Sequence, residues 1–218
     1  MIYADHAATT KISETAKLAM LSAMEKDWYN PSSLYTPGQQ ASGTLMDARV
    51  RIAHCLGCLP KEIYFTSGGS EADNQAILSA AAIGKRQGKM HIISTAFEHH
   101  AVLHTLKKLE KEGFEITLLD VGEKGIVSPV QVEKAIRPDK ILVTVMYANN
   151  EIGTIQPIRE IGAICRKNGV LFHTDAVQAA GHLQINVEKD QIDMLSLSAH
   201  KFNGPKGIGV LYAKTGVF

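Results

Sequence analysis

Hydrophobic positions along this 218-residue chain form short, unbroken apolar runs that alternate with longer segments of helical periodicity. The short runs are rich in Ile, Val and Leu and show little apolar–polar alternation, as is typical of parallel strands buried on both faces. They predict seven strands, at residues 63–66, 91–94, 115–119, 141–146, 170–174, 194–198 and 209–212.

The periodic segments predict six helices, at residues 13–25, 34–56, 71–87, 100–112, 129–136 and 158–167. Gly88, Gly113 and Gly169 follow three of them, where a left-handed residue commonly ends a helix. The alternation of strands and helices predicts an α/β fold with three α/β/α layers around a mostly parallel sheet. Ligands of such sheets bind at the carboxyl ends of the strands, so polar residues just after a strand are candidate site residues.

Composition narrows the class of protein without identifying a reaction. Hydrophobic residues make up 45% of the chain and the net charge is +1, which argues against a nucleic-acid surface. No apolar run reaches the length of a membrane span, and the start MIYADHAATT lacks the layout of a signal peptide. Three cysteines indicate a reducing compartment, so we expect a cytoplasmic protein. Cys55 and Cys58 form a C-x-x-C pair that we interpret as helix-end packing, not redox chemistry.

The segment TSGGSEADN, at residues 66–74, joins a predicted strand to a predicted helix. Gly68 and Gly69 let the backbone approach a ligand closely, and the free amides of the first helical turn favour an anion such as one phosphate. The alternative is an ordinary helix start in which Ser70 is the N-cap.

Asp175 stands at the end of an apolar strand. An ionised carboxylate there is costly unless it is paired, and a protonated pyridine nitrogen would be a suitable partner. Two alternatives remain open. His173 shares a strand face with Asp175, which would suit a metal site, and an Asp can also cap the turn that follows.

The segment SAHKFNGPKG, at residues 198–207, runs from a strand into a Gly-Pro turn. Ser198 and His200 are spaced to share one side of the chain, whereas Lys201 is expected to point differently. A lysine desolvated beside an apolar strand has a lowered pKa and can form a Schiff base. Lys206 competes for this role, but its flanking glycines place it on an exposed tip.

Histidines follow the second predicted strand. His99 is a candidate for stacking on a flat ring or for moving protons. His100 and His104 have the i, i+4 spacing of metal ligands, but no H-E-x-x-H pattern accompanies them.

Asn149 and Asn150 follow another strand, where an Asn can bond a cofactor hydroxyl or a substrate carboxylate, or simply form a turn. Together the five clusters supply a phosphate cradle, a stacking ring, a partner for a pyridine nitrogen and a Schiff-base lysine. That combination indicates a pyridoxal 5'-phosphate (PLP) enzyme.

Seven segments resemble the NifS/IscS family of cysteine desulfurases, in the class V aminotransferase group of fold-type I PLP enzymes. In chain order they are DHAATT (5–10), NPSSLYTPG (30–38), TSGGSEADN (66–74), EHHAVL (98–103), NNEIGTIQP (149–157), HTDAVQAAG (173–181) and SAHKFNGPKGIG (198–209).

The resemblance implies a role for each site residue. Lys201 would form the Schiff base, and His99 would stack on the ring and act in proton transfer. Asp175 would pair with the pyridine nitrogen and Gln178 with the ring hydroxyl, while Asn150 would approach that hydroxyl and the substrate carboxylate. Four residues would hold the phosphate: Gly69, Ser70, Ser198 and His200. Ser70 replaces the Thr often found at its position but keeps the hydroxyl.

The resemblance also implies the reaction and the organisation of the protein. L-Cysteine would become L-alanine, with the sulfur held as an enzyme persulfide for a sulfur-acceptor protein in iron–sulfur or thiolation pathways. Family members are homodimers of roughly two-domain size. We expect residues 1–14 to be an N-terminal segment near the active-site entrance, and residues 15–218 to be a C-terminally incomplete PLP-binding large domain without the small domain.

The family's catalytic cysteine would lie beyond residue 218, so we expect this chain alone to lack normal turnover. Three alternatives remain: another class V PLP enzyme such as a selenocysteine lyase, a non-catalytic PLP-binding or interaction fragment, and a metalloprotein using His173, Asp175 and His200.

Overall fold

One seven-stranded sheet organises the computed structural model, which describes residues 2–217. The strands are β1 Ile63–Thr66, β2 His91–Thr95, β3 Glu115–Leu119, β4 Lys140–Thr144, β5 Leu171–Asp175, β6 Met194–Ser198 and β7 Gly209–Ala213. They lie in the order β1-β7-β6-β5-β4-β2-β3. The five strands β2 to β6 pair in parallel, whereas β7 is antiparallel to both β1 and β6. The prediction of a mostly parallel sheet is confirmed.

Within residues 2–217 there are six α-helices, of which the first two precede β1 and the other four connect β1 to β5 in chain order. They are α1 Glu14–Lys26, α2 Thr36–Leu56, α3 Gly69–Arg86, α4 His100–Lys111, α5 Pro129–Ala135 and α6 Ile158–Asn168. Every predicted helix and strand is present, with ends displaced by no more than two residues. Gly169 caps α6 in the left-handed conformation, as its position predicts, with φ of 61°. No helix within residues 2–217 has both the length and the apolar character required to cross a lipid bilayer.

Two hydrophobic cores lie on opposite faces of the sheet because successive side chains of a strand point to opposite sides. On β4, Leu142 enters the core formed with α3 and α4, while its neighbour Val143 enters the core formed with α2, α5 and α6. On β2, Ile92 and Ile93 divide between the cores in the same way. Helices therefore cover both faces, and the three-layer architecture is confirmed.

The N-terminal segment before α1 lies against the turn that follows β6. The Thr10 amide donates to the His200 carbonyl over 2.8 Å, and the Ser13 amide donates to the Asn203 carbonyl over 2.9 Å. Thr10 Oγ1 accepts a hydrogen bond from the Asn203 amide over 2.7 Å. These bonds hold the first residues beside the carboxyl end of the parallel strands.

Candidate active site

A cavity of about 390 Å³ opens where the parallel strands end. All nine residues predicted to bind a cofactor line it: Gly69, Ser70, His99, Asn150, Asp175, Gln178, Ser198, His200 and Lys201. The structure adds seven lining residues that the sequence reasoning missed: Asp5, Ala7, Ala8, Asp73, Met146, Glu151 and Val177.

The glycine turn after β1 forms one wall of this cavity. Gly68 is the N-cap and α3 begins at Gly69, so the alternative in which Ser70 is the N-cap is wrong. The earlier start is stabilised by Glu71, whose carboxylate accepts a hydrogen bond from the Ser67 amide. Ser70 instead lies in the first helical turn, where the amides have no partners within the helix. The sequence signal was sufficient to locate the turn but not its first helical residue.

Gly69 fits closely against the loop that follows β5. A Cβ atom at this position would lie 2.5 Å from Cγ2 of Val177, which is closer than real Cβ contacts. Only glycine therefore allows the start of α3 to approach Val177 and Ser198 at this distance. The first turn of α3, whose free amides can bind an anion, therefore lies directly beside the carboxyl ends of β5 and β6.

Two buried carboxyl groups form the floor of the cavity. Asp175 ends β5, and its Oδ1 accepts a hydrogen bond from the Val177 amide over 2.9 Å. Burial raises the pKa of Asp175, although the Val177 amide and the charges of His99 and Lys201 oppose that rise. Asp73 of α3 is also buried, and both burial and the neighbouring Asp175 raise its pKa well above the usual value. Oδ1 of Asp73 has no hydrogen-bond partner among the described residues. This floor is suited to a cationic group of a ligand.

Lys201 reaches the cavity from a short 3₁₀ turn, Ala199–Lys201, that follows β6. The expectation that Lys201 points away from Ser198 and His200 is wrong, because side-chain alternation stops where the strand ends. All three residues line the same cavity. Burial lowers the pKa of the Lys201 ammonium, although the negative charges of Asp175 and Asp5 oppose that effect. The competing Lys206 is exposed, as predicted.

The backbone of the N-terminal segment covers part of the cavity. Lys201 Nζ donates to the carbonyl of Ala7 over 2.5 Å and to that of Ala8 over 3.0 Å. Gln178 Nε2 donates to the same Ala7 carbonyl over 2.9 Å. Backbone contacts of this kind do not affect hydrophobic periodicity. The periodicity therefore gave no indication that Ala7 and Ala8 contact Lys201.

His99 is the N-cap of α4, and its Nδ1 accepts a hydrogen bond from the Ala101 amide over 3.1 Å. Neutral imidazole has one donor and one acceptor nitrogen, so this bond places the ring proton on Nε2. The Nε2–H group is therefore available to a ligand in the cavity.

Asn149 and Asn150 have different environments. Asn149 is buried, and its Oδ1 accepts hydrogen bonds from the amides of Glu151 and Ile152 over 2.8 and 3.0 Å. Asn149 thus builds the turn, whereas Asn150 lines the cavity. The turn interpretation is confirmed for Asn149, and the ligand-binding interpretation of Asn150 stays a prediction.

The histidines considered as metal ligands in the sequence have other environments in the structure. His173 is fully buried between Thr144 and Ser196, whose Oγ1 and Oγ atoms lie 2.8 and 3.0 Å from its two ring nitrogens. Burial lowers the pKa of His173 to about 3. His100 and His104 stack on each other on α4. In the part of the chain that the structure describes, no three His, Cys, Asp or Glu side chains are placed to hold a metal ion.

The C-x-x-C pair lies at the end of α2, where Gly57 forms the left-handed cap. All three cysteines are free thiols. Burial and the nearby Glu62 raise the pKa of Cys58 to about 12, which keeps the thiol protonated and unreactive. Burial also raises the pKa of Cys165, a core residue of α6. These environments support the packing interpretation for Cys58, whereas it is wrong for Cys55, which is exposed.

Comparisons with known proteins agree with this geometry. The model of the aminotransferase class-V family matches residues 2–218. A cysteine desulfurase IscS of Methanosarcina thermophila is 52% identical over 216 residues, which are 99% of this chain and 53% of that protein. The chain spans about half the length of the curated relatives that it matches.

Solved structures of similar proteins share the fold. A NifS-like protein superposes with a TM-score of 0.95 at 38% identity, covering 99% of this chain and 59% of that chain. The structure of SspA in complex with cysteine superposes with a TM-score of 0.93 at 42% identity, covering 98% and 61%. Because the family model matches residues 2–218, the chain belongs to the class V aminotransferase family, with IscS-type cysteine desulfurases among its relatives.

Proposed function

We propose that this chain binds PLP and serves a cysteine desulfurase, which converts L-cysteine to L-alanine and transfers the sulfur to an enzyme cysteine. One observation carries the proposal. A single cavity contains a lysine with a lowered pKa, a buried carboxyl with a raised pKa and the start of a glycine-led helix. These are the three groups that a pyridine aldehyde with a phosphate requires.

The residues present fit PLP at each end of the molecule. The first turn of α3 provides free amides and a positive dipole end for the phosphate. Burial raises the pKa of Asp175 more than the charges of His99 and Lys201 lower it, so the carboxyl has room for a closer cationic partner. A protonated ring nitrogen would be that partner. We assign the phosphate to Gly69, Ser70, Ser198 and His200, the ring nitrogen to Asp175, and the ring hydroxyl to Gln178 and Asn150.

When bound, PLP supplies an aldehyde that links to amines and a protonated ring that withdraws electrons from the bonds around an amino-acid α-carbon. Lys201 is the amine for that link, because burial favours its uncharged, nucleophilic form. Asp175 would hold the proton on the ring nitrogen. His99 would stack on the ring and could hold a proton at Nε2, because its Nδ1 accepts a hydrogen bond from the Ala101 amide.

The wider assignments are also proposals. We assign residues 1–14 to the entrance of the active site, supported by the contacts of Ala7 and Ala8 with Lys201. We further propose a homodimer, supported by exposed apolar side chains such as Met24 and Trp28, and transfer of sulfur to an acceptor protein. Three free thiols support a reducing, cytoplasmic location.

Replacing Lys201 with Ala is expected to abolish covalent attachment of PLP. The purified chain mixed with PLP should show a visible absorption band that borohydride converts to a stable adduct, and peptide mass spectrometry should place the adduct on residue 201. The matched control is Lys206→Ala, which removes an exposed lysine of the same turn and should leave the band unchanged. L-Cysteine should then change the spectrum saturably and D-cysteine much less, since the cavity is chiral whereas free PLP is not.

A band that persists in the Lys201→Ala variant would reject Lys201 as the linking amine. A folded wild-type chain that binds no PLP would reject the cofactor assignment, and an equal response to both cysteine enantiomers would reject the proposed substrate.

A further inference from the structure

Glu98 is a buried carboxyl next to His99 that the proposed function leaves without a role. It lies in the loop between β2 and α4 and is only 5% exposed. Its Oε1 atom accepts a hydrogen bond from Thr95 Oγ1 over 2.5 Å and another from the Met146 amide over 3.0 Å. Thr95 ends β2 and Met146 follows β4, its neighbour in the sheet. One oxygen atom therefore joins the loops of two adjacent strands.

A second bond joins the same two loops. Asn149 Nδ2 donates to the carbonyl of Phe97 over 3.1 Å. Glu98 and Asn149 together connect the loop that carries His99 to the turn that carries Asn150. His99 and Asn150 both line the cavity. The relative position of two site residues thus depends on a pair of buried polar side chains.

The surroundings of Glu98 disfavour a negative charge. The charged groups that face it are both acids, Asp73 of α3 and Asp175 at the end of β5. The Thr95 hydroxyl and the Met146 amide donate hydrogen bonds that favour the charged form, but burial outweighs them. Its Oε2 atom is buried and has no hydrogen-bond partner within residues 2–217. Burial raises the pKa of Glu98 to about 8, so the carboxyl is predominantly neutral at pH 7.

We propose that Glu98 is a positioning residue that acts as a neutral carboxylic acid, holding the His99 loop against the Asn150 turn, and that a buried negative charge on it beside Asp73 and Asp175 destabilises this arrangement. The proposal rests on the proposed function for the importance of His99 and Asn150, but its electrostatic part can be tested without PLP.

Glu98→Gln separates the role of the hydrogen bonds from that of the ionisable proton. The amide oxygen of Gln can accept the bonds from Thr95 and Met146, and the side chain stays neutral at every pH. Glu98→Ala removes both bonds. Glu110→Gln is the matched control, because it makes the same chemical change at an exposed position of α4.

The first measurement is the melting temperature without PLP as a function of pH. The pKa of Glu98 is raised by folding from about 4.3. Its contribution to stability is therefore fully present below that value and is lost as pH rises towards about 8. The melting temperature of Glu98→Gln should rise relative to wild type by at least about 4 °C between pH 5 and pH 8. Glu110→Gln should show no such trend, and a Glu98→Gln curve parallel to wild type would overturn the proposal.

The second measurement is PLP affinity, from visible absorbance, between about pH 6.5 and about pH 9. This range includes the pH at which Glu98 ionises, about 8. Wild-type affinity should fall as Glu98 ionises, and Glu98→Gln should lack that part of the fall. Glu98→Ala should bind PLP about tenfold more weakly than wild type at about pH 6.5, because it loses two buried hydrogen bonds.

Wild-type affinity in Glu98→Ala, or the wild-type pH profile in Glu98→Gln, would contradict the positioning role. Absence of PLP binding in the wild type would instead reject the proposed function, and the melting curves would still decide the protonation state of Glu98.

Discussion

Replacing Asp175 with Asn is expected to weaken PLP binding about a hundredfold while making the PLP-free chain more stable at neutral and alkaline pH. The weaker binding follows from loss of the ion pair between the carboxylate and the ring nitrogen. Breaking a buried pair by removing one partner costs about 3–5 kcal/mol, part of which Asn recovers as a neutral hydrogen-bonding group. Affinity is measured by titrating PLP and following the visible absorption.

The gain in stability of the PLP-free chain comes from removing a buried negative charge that has no ring nitrogen to pair with. Folding raises the pKa of Asp175 by burial, so the favourable contribution of its protonated form is present at low pH and is lost as pH rises through the folded pKa. Asn cannot ionise, and it also removes the repulsion that Asp175 imposes on Asp73. Melting temperatures without PLP at acidic and alkaline pH measure this effect.

Asp47→Asn, at an exposed position of α2, is the control for the chemical change. If Asp175→Asn binds PLP as tightly as wild type, Asp175 is not the partner of the ring nitrogen. If the variant instead melts lower than wild type at alkaline pH, the cavity floor does not disfavour negative charge. The expected pattern is a site that lowers the stability of the empty chain in order to hold a cationic ligand.

Replacing Gly209 with Ala is expected to destabilise the chain by about 3 kcal/mol and to abolish PLP binding. Gly209 begins β7 and lies opposite Thr66 of β1 and Ser198 of β6. A Cβ atom there would lie 2.6 Å from the Gly68 carbonyl carbon and 2.7 Å from the Leu197 carbonyl oxygen. Both are backbone atoms, so no side-chain rotation relieves the clash, and the turn that leads into α3 must shift.

Gly43→Ala is the matched control. Gly43 lies within α2, and a Cβ atom at this position would meet nothing within 4 Å. Because Ala is the better helix former, this variant should gain about 1 kcal/mol. Urea unfolding curves measure both changes, and an unfolding midpoint of Gly209→Ala equal to wild type would refute the close approach of β7 to the glycine turn.

Secondary structure was predictable along this chain because its causes are local. The strand cores are apolar on both faces, and the periodic helices end at glycines such as Gly169, where the backbone turns left-handed. Errors fell at element ends. The third helix was predicted to begin at residue 71, but it begins at Gly69, where the Ser67 amide donates a hydrogen bond to Glu71. Lys201 was expected to point away from His200, but the strand ends before either residue.

The set of cofactor-binding candidates was predictable for a related reason. Each candidate follows a strand, and the carboxyl ends of parallel strands meet at one edge of the sheet, so residues as distant as Gly69 and Lys201 line one cavity. The strand order was not predictable in this way. Nothing local to β7 indicates that it lies antiparallel between β1 and β6, which is the arrangement that brings Gly209 against Gly68.

Short apolar runs and helical periodicity were thus enough for the elements, the layers and the edge of the sheet where chemistry occurs, because these depend on neighbours along the chain. The acidity of the site depends instead on neighbours in space. Asp73 and Glu98 look like ordinary polar residues in the sequence, yet packing removes both from water and raises their pKa values. Likewise, the Ala7 carbonyl bonds Lys201 across 194 positions of sequence. Burial and hydrogen-bond partners determine what a titratable group does, and both arise only when distant segments pack together.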